Sequence, residues 1–265
     1  MPLPIILGIG AIVAGVEIYG AVKVKEAKDT INEAQDRHER NTNRFEKEKA
    51  STKESIEKLE KLKIQISNSF QKFSDIFVRI QNKPNFKEYS KNGIVLPRYD
   101  GEDLPEVSVD RIIMRWSVVA CSGKDMMLSH MLSKKADELW DQMKKAEENI
   151  DKICTYLEEL KRTANSYLKT MVSVNTMYEK HLAQMQDFVV EQSHKDWNKF
   201  TNEEQLITEN TVLLVGLLYN MCKVELVLKN KNEEDMNIIN KDAVAKSINN
   251  AGIIMNEIEH KESFL

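Results

Sequence analysis

An all-α fold is predicted, built as a long antiparallel coiled-coil helical hairpin with a C-terminal helical bundle and an N-terminal apolar glycine-zipper helix. Three observations predict it. The 265 residues include only 9 Gly and 5 Pro beside 30% charged residues, a composition that suits long helices better than a turn-rich sheet protein. Two stretches repeat apolar residues at alternating three- and four-residue steps over many turns, the signature of a buried helical seam. A third stretch is apolar on nearly every face, as a helix surrounded by others is.

Residues 1–24 form the first element. MPLPIILGIGAIVAGVEIYGAV has no basic residue before Lys23, which does not suit a secretory signal. Its ten strongly apolar residues contribute roughly −3 to −6 kcal/mol toward insertion in a bilayer, against about +3 for an acidic group such as Glu17 near mid-span. A lone helix is therefore marginal in lipid. Gly10, Ala14, Glu17 and Ala21 fall on one helical face, and Ala11 and Gly15 add a neighbouring pair of small residues. Such faces let helices approach closely, and here they would hold Glu17 against protein or water. Lys23, Lys25 and Lys28 follow immediately, a basic flank expected to keep that end on the cytoplasmic side of a membrane.

Residues 25–82 carry the series Ile31, His38, Phe45, Thr52, Leu59, Ile66, Phe73, Ile80, with Ile56, Phe70 and Phe77 at the complementary spacing. They predict a first long heptad helix of roughly 75 Å. Residues 83–124 hold Pro84, Pro97 and Pro105 and the turn-prone Tyr99-Asp100-Gly101, and read as an irregular connection. Residues 125–190 carry the clearest seam, from Leu132, Ala136, Leu139, Met143, Ala146, Ile150 and Ile153 through Leu157, Leu160, Ala164, Tyr167, Met171, Val174, Tyr178, His181, Met185 and Phe188. It predicts a second long helix of about 85 Å, folded back on the first. Within residues 191–265, TVLLVGLLYNMCKVELVL reads as a buried helix too short to cross a bilayer. The tail resumes a helical pattern at Ile238, Ile239, Val244, Ile248, Ile253, Ile254 and Ile258.

Chemistry is sparse. Net charge is −4 with both signs interspersed, which offers no basic stripe for nucleic acid. Cys121, Cys154 and Cys222 are odd in number and widely separated, so neither a disulfide framework nor a paired-cysteine metal site is expected. The five histidines make no HExxH spacing. Ser69-Phe70-Gln71-Lys72 matches SxxK but lies in a heptad helix without a KTG element. CSGKD at Cys121 lacks the glycine lead-in of a phosphate loop. His181 and the methionines at 143, 171 and 185 sit at core spacing. The expectation is a protein that is not an enzyme, with no catalytic residues, cofactor, metal or small-molecule substrate.

The MPLP start, the glycine zipper, the basic junction and the charged heptad rod, followed by LPEVSVD and SKKADELWDQMKKAEENIDKI, resemble a family of uncharacterised bacterial glycine-zipper, coiled-coil membrane-associated proteins, sometimes labelled chemotaxis proteins. In that family a long Gly/Ala-rich hydrophobic hairpin follows the segment similar to LPEVSVD. Here RIIMRWSVVACSGKDMMLSHM stands in its place, and Ile112 to Ala120, interrupted by Arg115, is too short to span a bilayer. The resemblance implies a membrane-associated protein with its main body cytoplasmic, inserting or oligomerising in a stress, toxin or phage-defence setting, but not the family's membrane-penetrating hairpin. The expected partners are a membrane and either a protein or further copies of the chain. The alternative is a soluble coiled-coil scaffold or adaptor whose N-terminal helix is buried in an oligomer.

Overall fold

The computed structural model describes residues 21–86, 136–230 and 236–263. They are all-α in character, with four α-helices: α1 Ala21–Phe77, α2 Ala136–Gln186, α3 Asn202–Lys223 and α4 Lys241–Glu262. Of the apolar N-terminal segment, residues 1–20 lie outside the described residues, as do residues 87–135 of the connection and of the expected start of the second long helix.

The two seams are interior faces. On α1, Phe45, Thr52, Ile56, Leu59, Ile66 and Phe70 are buried. On α2 every seam residue from Ile150 to Met185 is buried, and Phe188 follows just beyond its end. Side chains three and four apart on one helix lie over one another, so an unbroken three-four pattern can be covered along its whole length by one neighbouring surface.

The described residues divide into two compact units, one holding residues 21–51 and 136–158 and the other residues 52–86, 159–230 and 236–263. In the first unit Phe45, Ile150, Ile153, Cys154 and Leu157 are buried, and Arg44 Nη1 meets Asp151 Oδ1 at 2.5 Å. Both ends of that ion pair are about half exposed, so it contributes about 1 kcal/mol at most.

The second unit is a bundle, and its contacts fix the helix directions. Tyr178 Oη of α2 donates to the Ser69 carbonyl of α1 at 3.2 Å, and the Phe70 and Tyr178 rings meet at 6.3 Å. Earlier along each helix, Lys63 and Tyr167 both reach the C-terminal end of α3, at the carbonyls of Val224 and Met221. Beyond α1, Gln81 N donates to Lys195 O at 2.6 Å and Trp197 N to Gln81 O at 3.0 Å. Residue numbers rise together at all three levels. In this unit α1 and α2 therefore run parallel, which corrects the antiparallel hairpin expected from sequence.

The reason is the length of the connection. Short loops force neighbouring helices to be antiparallel, whereas the 58 residues between Phe77 and Ala136 are enough chain, at up to about 3.3 Å per residue, to cover the length of this bundle. Helix α3 is the one that descends, since Lys63 meets Val224 while Phe70 meets Tyr219. Helix α4 then rises beside α2 through Lys241 with Glu159, Ser247 with Tyr167 and Glu262 with Lys180.

Helix α3 begins at a capping box: Thr201 Oγ1 accepts from Glu204 N at 3.1 Å, and Glu204 Oε2 accepts from Thr201 N at 2.8 Å. This satisfies two of the unpaired donors at a helix start. It is buried on nearly every face from Ile207 to Cys222, as its sequence predicts. The helix stops at Lys223, short of the expected VELVL, because Val224 turns to an extended backbone. Val227–Leu228 instead pairs antiparallel with Ile238–Ile239, so Ile238 and Ile239 are strand residues rather than the start of the last helix. Val244, Ala251, Ile254 and Ile258 then form the buried stripe of α4.

Rings close one end of the bundle. Phe77, Phe86, Trp197, Phe200 and Phe188 follow in successive contacts with centroids 5.3 to 5.6 Å apart. Asn82, at φ 56, lets the chain leave α1 beside this cluster and donates from Nδ2 to Asp196 Oδ1 at 3.0 Å. Asn is among the few residues that tolerate that left-handed backbone.

Candidate functional site

Polar side chains enter the apolar interior of the bundle at three levels along α2. At the first, Tyr167 Oη donates to Met221 O at 2.9 Å and lies 3.0 Å from Ser247 Oγ. Lys63, at 1% exposure, donates from Nζ to Val224 O at 3.2 Å and stands 3.4 Å from Glu60 Oε1. A cation at the end of α3 also suits the negative end of that helix. Cys222 Sγ points to the Lys63 carbonyl at 4.0 Å.

At the second level, Tyr178 reaches the Ser69 carbonyl. At the third, His181 is fully buried, with Nδ1 2.8 Å from Met177 O and Nε2 2.5 Å from Glu262 Oε1.

Burial is the largest influence on the ionisation of several of these groups. Burial pushes the Cys222 thiol up to about 12, with the Lys63 charge opposing only in part. It likewise pushes the Tyr178 phenol up to about 12, against the hydrogen bond to Ser69. Burial also raises the Tyr167 phenol and the Glu60 carboxyl, the latter opposed by Lys63. Cys154 is raised by burial too, with Arg44 acting the other way.

A thiol that stays protonated is a poor nucleophile. Cys154 and Cys222 are therefore expected to resist iodoacetamide at about pH 8 in the native protein and to react after denaturation. Mass spectrometry of the alkylated peptides reads this directly, and rapid native labelling of Cys222 would contradict the buried site.

The SxxK pair does not form a catalytic arrangement. Ser69 Oγ donates to Ile66 O at 2.6 Å, a bond back into its own helix, and Lys72 is exposed. Among the described residues no group of three His, Cys, Asp or Glu side chains could hold a metal, and no helix is long and apolar enough to cross a membrane. Gly10, Ala11, Ala14, Gly15 and Glu17 lie outside the described residues, as do Cys121 and His130. Ala21, Lys23, Lys25 and Lys28 are on α1.

Sequence reasoning passed over Lys63, Glu262 and Ser247. Lys63 had a signal: it occupies the seven-residue position between Ile56 and Phe70, where the complementary seam lacks an apolar residue. Glu262 and Ser247 had none, because their partners are about 80 residues away in the chain. Asn210 is fully buried, and among the described residues neither of its amide atoms has a hydrogen-bond partner; nothing in the described bundle explains it.

No protein-family model, curated protein or solved structure matches the chain.

Proposed function

We propose that this protein is a non-enzymatic, membrane-associated helical protein. In this reading the glycine-zipper helix of residues 1–24 inserts or assembles in the bilayer, and the paired long helices form a coiled-coil stalk behind it on the cytoplasmic side. The observation that carries the proposal is the single face of Gly10, Ala14, Glu17 and Ala21 followed by Lys23, Lys25 and Lys28. Small residues at that spacing favour close helix contact in lipid, and the lysines favour a fixed orientation. The basic flank lies within the helix Ala21–Phe77 and is continuous with the long rod, which supports the reading. A role in stress, toxin action or phage defence rests on the resemblance to bacterial glycine-zipper proteins, and further copies of the chain are the favoured partner.

Liposome flotation with crosslinking tests this on wild type, Gly10→Leu and a chain lacking residues 2–22. Wild type is expected to float and crosslink. Gly10→Leu should float but lose the crosslinked species, because a bulky side chain blocks close approach. The deleted chain should stay at the bottom. If it floats as well as wild type, the opening segment is not the anchor, and a coiled-coil scaffold with that helix buried in an oligomer takes over.

A further inference from the structure

Helix α4 has a face that the bundle does not use. Its buried stripe is Val244, Ala251, Ile254 and Ile258, and on the opposite side Lys246, Asn249, Gly252, Ile253, Asn256 and Glu259 are exposed. Three- and four-residue steps keep these six on one side of the helix. Gly252 is the residue that the bundle leaves unexplained. Glycine is a poor helix former, yet a Cβ at this position would meet nothing within 4 Å. Packing within the chain therefore does not call for glycine there, whereas a backbone approaching from outside would. Ile253 beside it is 45% exposed.

The polar residues of the face are arranged as a mirror about this point. Asn249 stands three residues before Gly252 and Asn256 three after Ile253, while Lys246 stands six before Gly252 and Glu259 six after Ile253. No ion pair joins Lys246 or Glu259 to another described residue. The face is thus positive toward one end, negative toward the other and amide-bearing on both sides of its centre. Such a pattern complements a reversed copy of itself. A parallel copy would instead set each charge against its like.

We infer that α4 is a self-association face, on which a second copy of the chain packs its own α4 antiparallel about a two-fold axis between Gly252 and Ile253. That axis brings Asn249 to Asn256 of the partner subunit and Lys246 to Glu259 of the partner subunit, and repeats both pairs on its other side. The amides can exchange hydrogen bonds, which also fixes register, as a polar pair does between coiled helices. Gly252 lets the two backbones come close where the axis passes, and the Ile253 side chains cover one another there. One helix pair is a small interface, so the dimer is reversible. The inference is independent of membrane association, since it uses no residue of the segment 1–24.

Disulfide trapping in the intact protein tests it. Asn249→Cys and Asn256→Cys chains, each on a Cys121→Ser background and carrying different tags, are mixed under mild oxidation. Cys154 and Cys222 are buried and do not compete. The mixed pair is expected to link several-fold more than either chain with itself. No linkage in the mixture, or linkage within one variant that matches it, overturns the antiparallel pairing. Sedimentation gives a separate reading. Gly252→Leu should weaken the dimer by about ten-fold, because its side chain clashes with the partner, without lowering the melting temperature of the dilute monomer. Lys246→Glu and Glu259→Lys should each weaken it several-fold, and the two together should restore it. A Gly252→Leu protein that dimerises as wild type does, or a charge-swapped double variant no stronger than the singles, overturns the inference.

Discussion

Replacing Leu160 with Asp is expected to prevent the four-helix unit from folding, whereas Leu160→Ala should leave it folded but less stable by about 2–5 kcal/mol. Leu160 is fully buried at the middle of the α2 seam. The alanine change removes apolar contact and leaves a cavity that close-packed neighbours fill only in part. The aspartate adds an unpaired charge in a fully buried site, a further penalty of several kcal/mol. Since domains of this size are typically stable by only about 5–15 kcal/mol, the sum approaches the whole margin. Val172→Asp is the matched control, because Val172 is 47% exposed on the same helix and should change stability by no more than about 0.5 kcal/mol. Urea unfolding followed by circular dichroism separates the three. A Leu160→Asp protein with an unchanged midpoint would place this face in solvent.

Helical character was legible because it rests on local periodicity, and burial follows periodicity closely here. From Ile150 to Met185 the three-four steps pick out the interior of α2 residue by residue. The all-apolar run of α3 was legible for the same reason. Where local pattern conflicts with backbone preference, the sequence misleads. Ile238 and Ile239 fit a helical spacing with Val244, yet β-branched residues flanked by polar ones also suit a strand, and the partner segment at Val227–Leu228 decides the matter.

Direction was not legible. A heptad seam says which face is covered and is silent on whether the covering helix runs up or down. The antiparallel expectation came from the habit of short connections, but residues 83–124 already provided a long one. The buried polar groups divide in the same way. Lys63 interrupts a periodic series and so leaves a trace in the sequence, while Ser247 and Glu262 are ordinary helix-surface residue types until the fold brings Tyr167 and His181 onto them.

Lys63→Met is the sharper test of that interior, because it keeps most of the length of the side chain while removing its charge. The Val224 carbonyl would lose its donor and Glu60 its cation. Removing one partner of a fully buried pair costs about 3–5 kcal/mol, and about 2–3 is expected here because Glu60 remains 19% exposed and can turn toward water. Burial already raises the Glu60 carboxyl above the usual range, with Lys63 pulling it back. Without Lys63 it should rise further, so the folded variant takes up a proton more readily than the unfolded chain does. Stability linked to such a group is present at low pH and lost as pH rises through the folded-state value. The gap in melting temperature between wild type and Lys63→Met should therefore be larger at about pH 7 than at about pH 5. Lys63→Met combined with Glu60→Gln removes the stranded charge and should recover part of the loss at pH 7 while showing little pH dependence. A single variant whose deficit is the same at both pH values, and which the second change does not improve, would mean that Glu60 is solvated in the folded protein and that Lys63 acts on Val224 alone.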